Sequence, residues 1–158
     1  MYKLFKTVRK IEKFLIITTS ILLVITAFLQ VFSRSVLKNP ITWTEEASRY
    51  LFIWNVFFSS VVVMSMEDHF KVDFIYEKLN NKMKSIVYIF SMIIIFIFSL
   101  LILYYGIEIF LKASNRVTPS LGIPMSYIYI PIPIFGLLSI FHLFEKVFKY
   151  FYSNRGEI

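Results

Sequence analysis

Ser85 to Ile107 reads SIVYIFSMIIIFIFSLLILYYGI, 23 consecutive residues without a charge. Coiled as an α-helix this stretch measures about 34 Å. The hydrocarbon of a bilayer is about 30 Å thick and requires about 20 mostly apolar residues. Backbone crossing that layer must satisfy its own hydrogen bonds, so the stretch is a membrane-spanning helix. Three similar blocks surround it, at about residues 14–32, 47–66 and 125–144, and short charged segments separate the blocks. The second is uncharged from Leu51 to Met66 and extends back through Arg49 to Ala47. The sequence therefore specifies an all-α integral membrane protein with four transmembrane helices, forming one membrane domain over residues 1–158.

Composition agrees. Of 158 residues 58% are hydrophobic and 17% charged, whereas soluble domains average about 45–50% and about 25%. The first block follows a basic leader, as a signal peptide does. Its 19-residue apolar run is too long for one, and Val31-Phe32-Ser33-Arg34 offers no small-x-small cleavage site, so it is read as a retained helix. Cysteine is absent, and His69 and His142 are far apart, which argues against a disulfide framework or a metal site. No cofactor motif is recognisable. The net charge of +7 gathers at the ends of the apolar blocks, a pattern of membrane lipids and topology rather than nucleic acid.

Lys and Arg outside the spans number twelve in the N-terminus, the 67–84 loop and the C-terminal tail, against four in the other two loops. The positive-inside rule puts both termini and the 67–84 loop in the cytoplasm. Two amphipathic stretches read as interfacial helices. In residues 1–13, Met1, Leu4, Phe5, Val8 and Ile11 recur at helical spacing, and Lys6, Arg9, Lys10 and Lys13 are candidates for anchoring to an anionic surface. In the 67–84 loop, Val72, Ile75, Tyr76, Leu79 and Met83 form a similar stripe.

The segment at the start of span two, Thr42-Trp43-Thr44-Glu45-Glu46-Ala47-Ser48-Arg49, is the most informative polar stretch. Thr42 and Glu45 match a capping box, Glu45 and Arg49 are spaced to pair, and Trp43 suits the interface. Arg49 enters the apolar region, where an ionisable side chain usually faces protein or a cavity. Trp43, Glu45, Glu46, Arg49 and Trp54, with Asn55 and Ser59 deeper on one face, are therefore candidates for a partner interface. In span one the hydroxyls are read as bonding to the preceding turn, with Gln30 left to reach another helix. Pro131 and Pro133 imply a kink in span four. Glu67, Asp68 and His69 are read as a solvated helix exit. No Asp, Glu, Lys or Arg lies midway through any span, as a proton relay or charged-substrate site would need. Nothing indicates an enzyme.

Three pieces, in order along the chain, resemble the small membrane (Q, DctQ-type) subunit of tripartite ATP-independent periplasmic (TRAP) transporters. They are Trp43-Thr44-Glu45-Glu46-x-x-Arg49 with Trp54; His69-Phe70-Lys71-Val72-Asp73; and Thr118-Pro119-Ser120-Leu121-Gly122-Ile123-Pro124-Met125 followed by Pro131 or Pro133. Phe57-Phe58-Ser59-Ser60 stands where members often carry glycine. The resemblance implies a bacterial inner-membrane subunit that binds a large M subunit, the carrier of substrate and sodium. It also implies a separate extracytoplasmic binding protein that captures an organic acid, such as a dicarboxylate or sialic acid. Because the chain ends soon after span four, M is expected as a separate polypeptide. The competing reading is a self-sufficient homo-oligomeric carrier or channel, which would need a continuous polar stripe through a span; none is apparent.

Overall fold

The computed structural model describes residues 2–66 and 80–153. They form five α-helices: α1 (Tyr2–Ser35), α2 (Thr42–Ser65), α3 (Asn81–Ala113), α4 (Ser126–Tyr129) and α5 (Pro131–Ser153). Four stretches are long and apolar enough to cross a membrane: Phe5–Ser35, Thr42–Ser65, Lys82–Ala113 and Ser126–Phe148. The last is α4 and α5 together.

The helices do not close into a four-cornered bundle. α1 packs along α2, α2 along α5, and α5 along α3. Most buried apolar residues follow the middle of this row: Phe58, Val61 and Val62 of α2, Ile128 of α4, and Phe135 and Leu143 of α5, with Met92 and Ala113 added from α3. The edge helices keep long apolar flanks bare, among them Phe14, Val24 and Phe28 on α1 and Phe90, Phe98 and Tyr104 on α3. Thr19 and Thr26 return their hydroxyls to the carbonyls of Leu15 and Leu22 at 2.8 and 2.9 Å, the local bonding expected of them. Small residues set the α3–α5 crossing: a Cβ on Gly136 would stand 2.8 Å from the backbone nitrogen of Leu103, and one on Gly106 2.9 Å from that of Pro133. Glycine allows backbones to approach this closely.

Two expectations need revision. Residues 2–13 are helical, but they continue into span one without a break; no glycine or proline intervenes between Tyr2 and Ser35 to end the helix. The segment is thus the first three turns of α1 and not a separate interfacial helix, and Phe5 packs on Phe141 of α5 with ring centroids 4.8 Å apart. Thr42 does not form the capping box. The residue preceding α2 is Ile41, no side chain caps it, and the Thr44 hydroxyl donates to the Ile41 carbonyl at 2.6 Å instead. The interruption expected at the prolines is present: the fourth span breaks at Ile130, just before Pro131. Pro131 and Pro133 open the first turn of α5, and the Tyr127 carbonyl, which Pro131 cannot serve, accepts the indole N–H of Trp54 instead. The helix expected within 67–84 lies largely outside the described residues, as do Glu67, Asp68 and His69; residues 81–84 begin α3.

Candidate functional site

Polar side chains gather at the two ends of the helix row. At the end where α2 starts, Glu46 is buried. One carboxylate oxygen accepts the backbone N–H groups of Ser120 and Leu121, both at 2.9 Å. The other accepts the Tyr50 hydroxyl. The loop it grips is itself closely bonded. Thr118 N–H donates to the Ile123 carbonyl at 2.9 Å, the Thr118 hydroxyl accepts the Ile123 N–H at 3.1 Å, and Met125 N–H reaches the Arg116 carbonyl at 2.8 Å. Gly122 turns the chain at φ +67°, a conformation that glycine adopts without Cβ strain. The Thr118-Pro119-Ser120-Leu121-Gly122 motif is therefore a receptor for a carboxylate carried by α2.

Around this grip, Glu45 and Arg49 pair at 3.1 Å, both about two-thirds exposed. Trp43 is exposed. Gln30, Ser33, Arg34, Glu45, Arg49 and Ser120 help to line a polar cleft of about 540 Å³; Gln30 belongs to this cleft. Ser33 ties the end of α1 to the start of α2, its hydroxyl accepting the Ile41 N–H at 3.4 Å.

One to three turns deeper, α2 bonds to both neighbours. Trp54 donates its indole N–H to the Tyr127 carbonyl at 3.1 Å, and Phe57 meets Phe135 with centroids 5.6 Å apart. On the other side Asn55 donates to the Ser20 hydroxyl of α1, while Ser59 bonds back to Asn55 at 3.4 Å. Of the seven interface candidates, Glu46, Trp54, Asn55 and Ser59 are thus engaged inside the subunit, and Trp43, Glu45 and Arg49 face outward.

The opposite end holds a network that sequence reading missed. His142 of α5 is fully buried and Glu12 of α1 is 2% exposed; the His142 Nε2 lies 2.7 Å from the Glu12 Oε1. His142 Nδ1 stands 3.5 Å from Glu145, which accepts from Arg9 at 2.7 Å. Lys146 donates to the Met66 carbonyl just past α2 at 3.0 Å, a cation placed where the helix dipole is negative. Two cations and two carboxylates balance formally around a buried imidazole, which lowers the cost of removing them from water. Among the described residues no group of His, Asp and Glu is arranged to hold a metal. The available signal was slight: Glu12 is the single acid among the five basic residues of the first thirteen, and His142, Glu145 and Lys146 share one face at i, i+3 and i+4.

Two ends of an apolar row fastened by ion pairs and a carboxylate-gripping loop, with no reacting group between them among the described residues, define a polytopic helical subunit built to be held in shape. Residues 23–151 match the family model described as tripartite ATP-independent periplasmic transporters, DctQ component. The chain belongs to that family, and is a transport component, not an enzyme. It is 25% identical over 146 residues to the sialic acid TRAP transporter small permease protein SiaQ of Vibrio cholerae, covering 91% of this chain and 83% of that one. It is also 25% identical over 140 residues to the sialic acid TRAP transporter permease protein SiaT of Haemophilus influenzae, covering 89% of this chain but only 23% of that protein. Against the isethionate TRAP transporter permease protein DctMQ of Oleidesulfovibrio alaskensis the identity is 24% over 101 residues, 62% of this chain and 16% of that one. The chain thus spans under a quarter of these two longer relatives.

Proposed function

We propose that this chain is the small permease subunit of a sodium-coupled TRAP transporter for an organic acid, and that it braces the large M subunit in the inner membrane. The observation that carries this reading is the open row of helices. Its two edge helices leave apolar flanks uncovered, and no Asp, Glu, Lys or Arg occurs in residues 14–32, 50–66, 85–107 or 117–144. A subunit without midplane charge has no means of handling a charged solute itself, but it offers a large surface to a partner that does. Transport by a sliding domain requires a companion part held still in the bilayer, and a row fastened at both ends suits that task. The acid is of the dicarboxylate or sialic-acid class; relatives named for sialic acid support the second.

In this reading both termini lie in the cytoplasm, following the distribution of Lys and Arg, and the Glu46 end faces outward. Trp43, Glu45 and Arg49 then meet the M subunit or the extracytoplasmic binding protein. Glu46, Trp54, Asn55 and Ser59 act from behind by fixing α2. The test is reconstitution into liposomes with an imposed sodium gradient. Labelled acid accumulates only when this chain, the M subunit and the binding protein are all present. Accumulation by the small chain alone overturns the reading in favour of a homo-oligomeric carrier.

A further inference from the structure

At the start of α1, a cleft of about 290 Å³ is lined by Phe5, Lys6, Arg9, Lys10, Lys13 and Glu145. The one carboxylate is already held by Arg9 at 2.7 Å. Lys6, Lys10 and Lys13 are exposed, and among the described residues none of them forms an ion pair. The cleft is thus strongly positive. Their spacing of i, i+4 and i+7 puts the three ammonium groups on one face of the helix. The same progression continues up α1 through Ile17, Val24 and Phe28, and all three are exposed. One lane of helix surface therefore begins with three cations and runs on as bare hydrocarbon.

We propose that this lane is a binding site for a single anionic phospholipid, with the phosphodiester headgroup among Lys6, Lys10 and Lys13 and an acyl chain along Ile17, Val24 and Phe28. A free phosphate would use the cations and leave the apolar continuation without a role. An amphiphile uses both, and the uncharged block beginning at Phe14 puts the lysines at headgroup depth. In the orientation proposed above the lipid comes from the cytoplasmic leaflet; the site itself does not depend on transport.

Native mass spectrometry of the delipidated full chain tests this by titration with phosphatidylglycerol, phosphatidylcholine and inorganic phosphate. The wild-type chain retains phosphatidylglycerol at least tenfold better than phosphatidylcholine. At about one kcal/mol per basic residue near an anionic surface, the combined change Lys6→Gln, Lys10→Gln and Lys13→Gln lowers that affinity on the order of a hundredfold. Lys6→Arg, Lys10→Arg and Lys13→Arg together preserve it, as does the distant change Arg116→Gln. Three results overturn the proposal. One is a wild-type chain that does not prefer phosphatidylglycerol, which requires no variant to fold. Another is full displacement by millimolar inorganic phosphate, marking a small-anion site. The third is a glutamine variant that keeps the lipid but no longer co-purifies with the large subunit, marking an acidic protein segment as the occupant. Each readout is lipid or partner retention, so failure here is distinct from failure of sodium-driven uptake.

Discussion

The two ends of the helix row solve the same problem with different chemistry. At the Glu46 end one carboxylate grips the backbone of a loop, accepting N–H groups from Ser120 and Leu121. At the His142 end side chains grip side chains, with Arg9 and Glu12 of α1 reaching Glu145 and His142 of α5. The first arrangement tolerates any residue at positions 120 and 121 that can supply an N–H. The second requires four particular side chains in register. A loop is held by what every residue carries; two helices are held by what only these residues carry.

The sharpest way to break this comparison is at the His142 end. Glu12→Ala leaves a fully buried imidazole without its partner and costs about 3 kcal/mol, the lower range for opening a buried charged or hydrogen-bonded pair. A large fall in Tm of the detergent-solubilised chain is the expected result; an unchanged Tm would mean that the pair contributes nothing. Exchanging the charges of Arg9 and Glu145 in a double variant recovers part of what Arg9→Glu alone loses, because the pair and not either residue holds the helices.

At the other end, Glu46→Ala strands two backbone N–H groups and the Tyr50 hydroxyl. It lowers Tm by less, since the loop can turn these groups toward water. Hydrogen exchange should rise at Ser120 and Leu121 and stay unchanged at Leu143. If exchange rises equally at both places, the two ends are one cooperative unit and the contrast fails. Between the ends, Gly136→Ala drives a Cβ into the backbone of Leu103. Overpacking of this kind costs about 1–3 kcal/mol, read as a Tm drop that Gly122→Ala, with open space around it, matches only through its backbone strain. The smallest effect on stability belongs to Glu45 and Arg49. Exposed pairs at i, i+4 contribute little, so Glu45→Lys and Arg49→Glu leave Tm unchanged while lowering uptake and the yield of the three-part complex. Survival of both functions in both variants removes these residues from the partner interface.

How much of this was legible in the sequence follows the same division. The four spans were, because apolar length alone sets them. Glu46 and Arg49 stood out as charges at the start of an apolar span and the Thr118–Met125 segment by resemblance, but the contact that joins Glu46 to Ser120 and Leu121 was not legible, because its members lie 74 and 75 residues apart. Thr42 misled because a local pattern identified a cap that the chain makes differently, with Thr44 bonding to Ile41. The amphipathic start of α1 misled because nothing between Tyr2 and Ser35 ends the helix, so the basic segment and the span are one element. The His142 network was illegible for a plainer reason. Glu12 and His142 lie 130 residues apart, and by pattern alone Arg9 and Lys146 are indistinguishable from charges that set topology.

The length of α1 has its own effect on the lipid around it. Its 34 residues make a rod of about 51 Å. Even at about 40° of inclination, the upper end of what membrane helices adopt, it covers roughly 39 Å, well beyond the oily layer. Leaning cannot absorb that excess, so the first turns stand clear of the acyl chains. The junction of Arg9 and Glu12 is thereby displaced from mid-depth toward the edge of the oily layer, where a charged contact that would be ruinous farther in becomes a durable one.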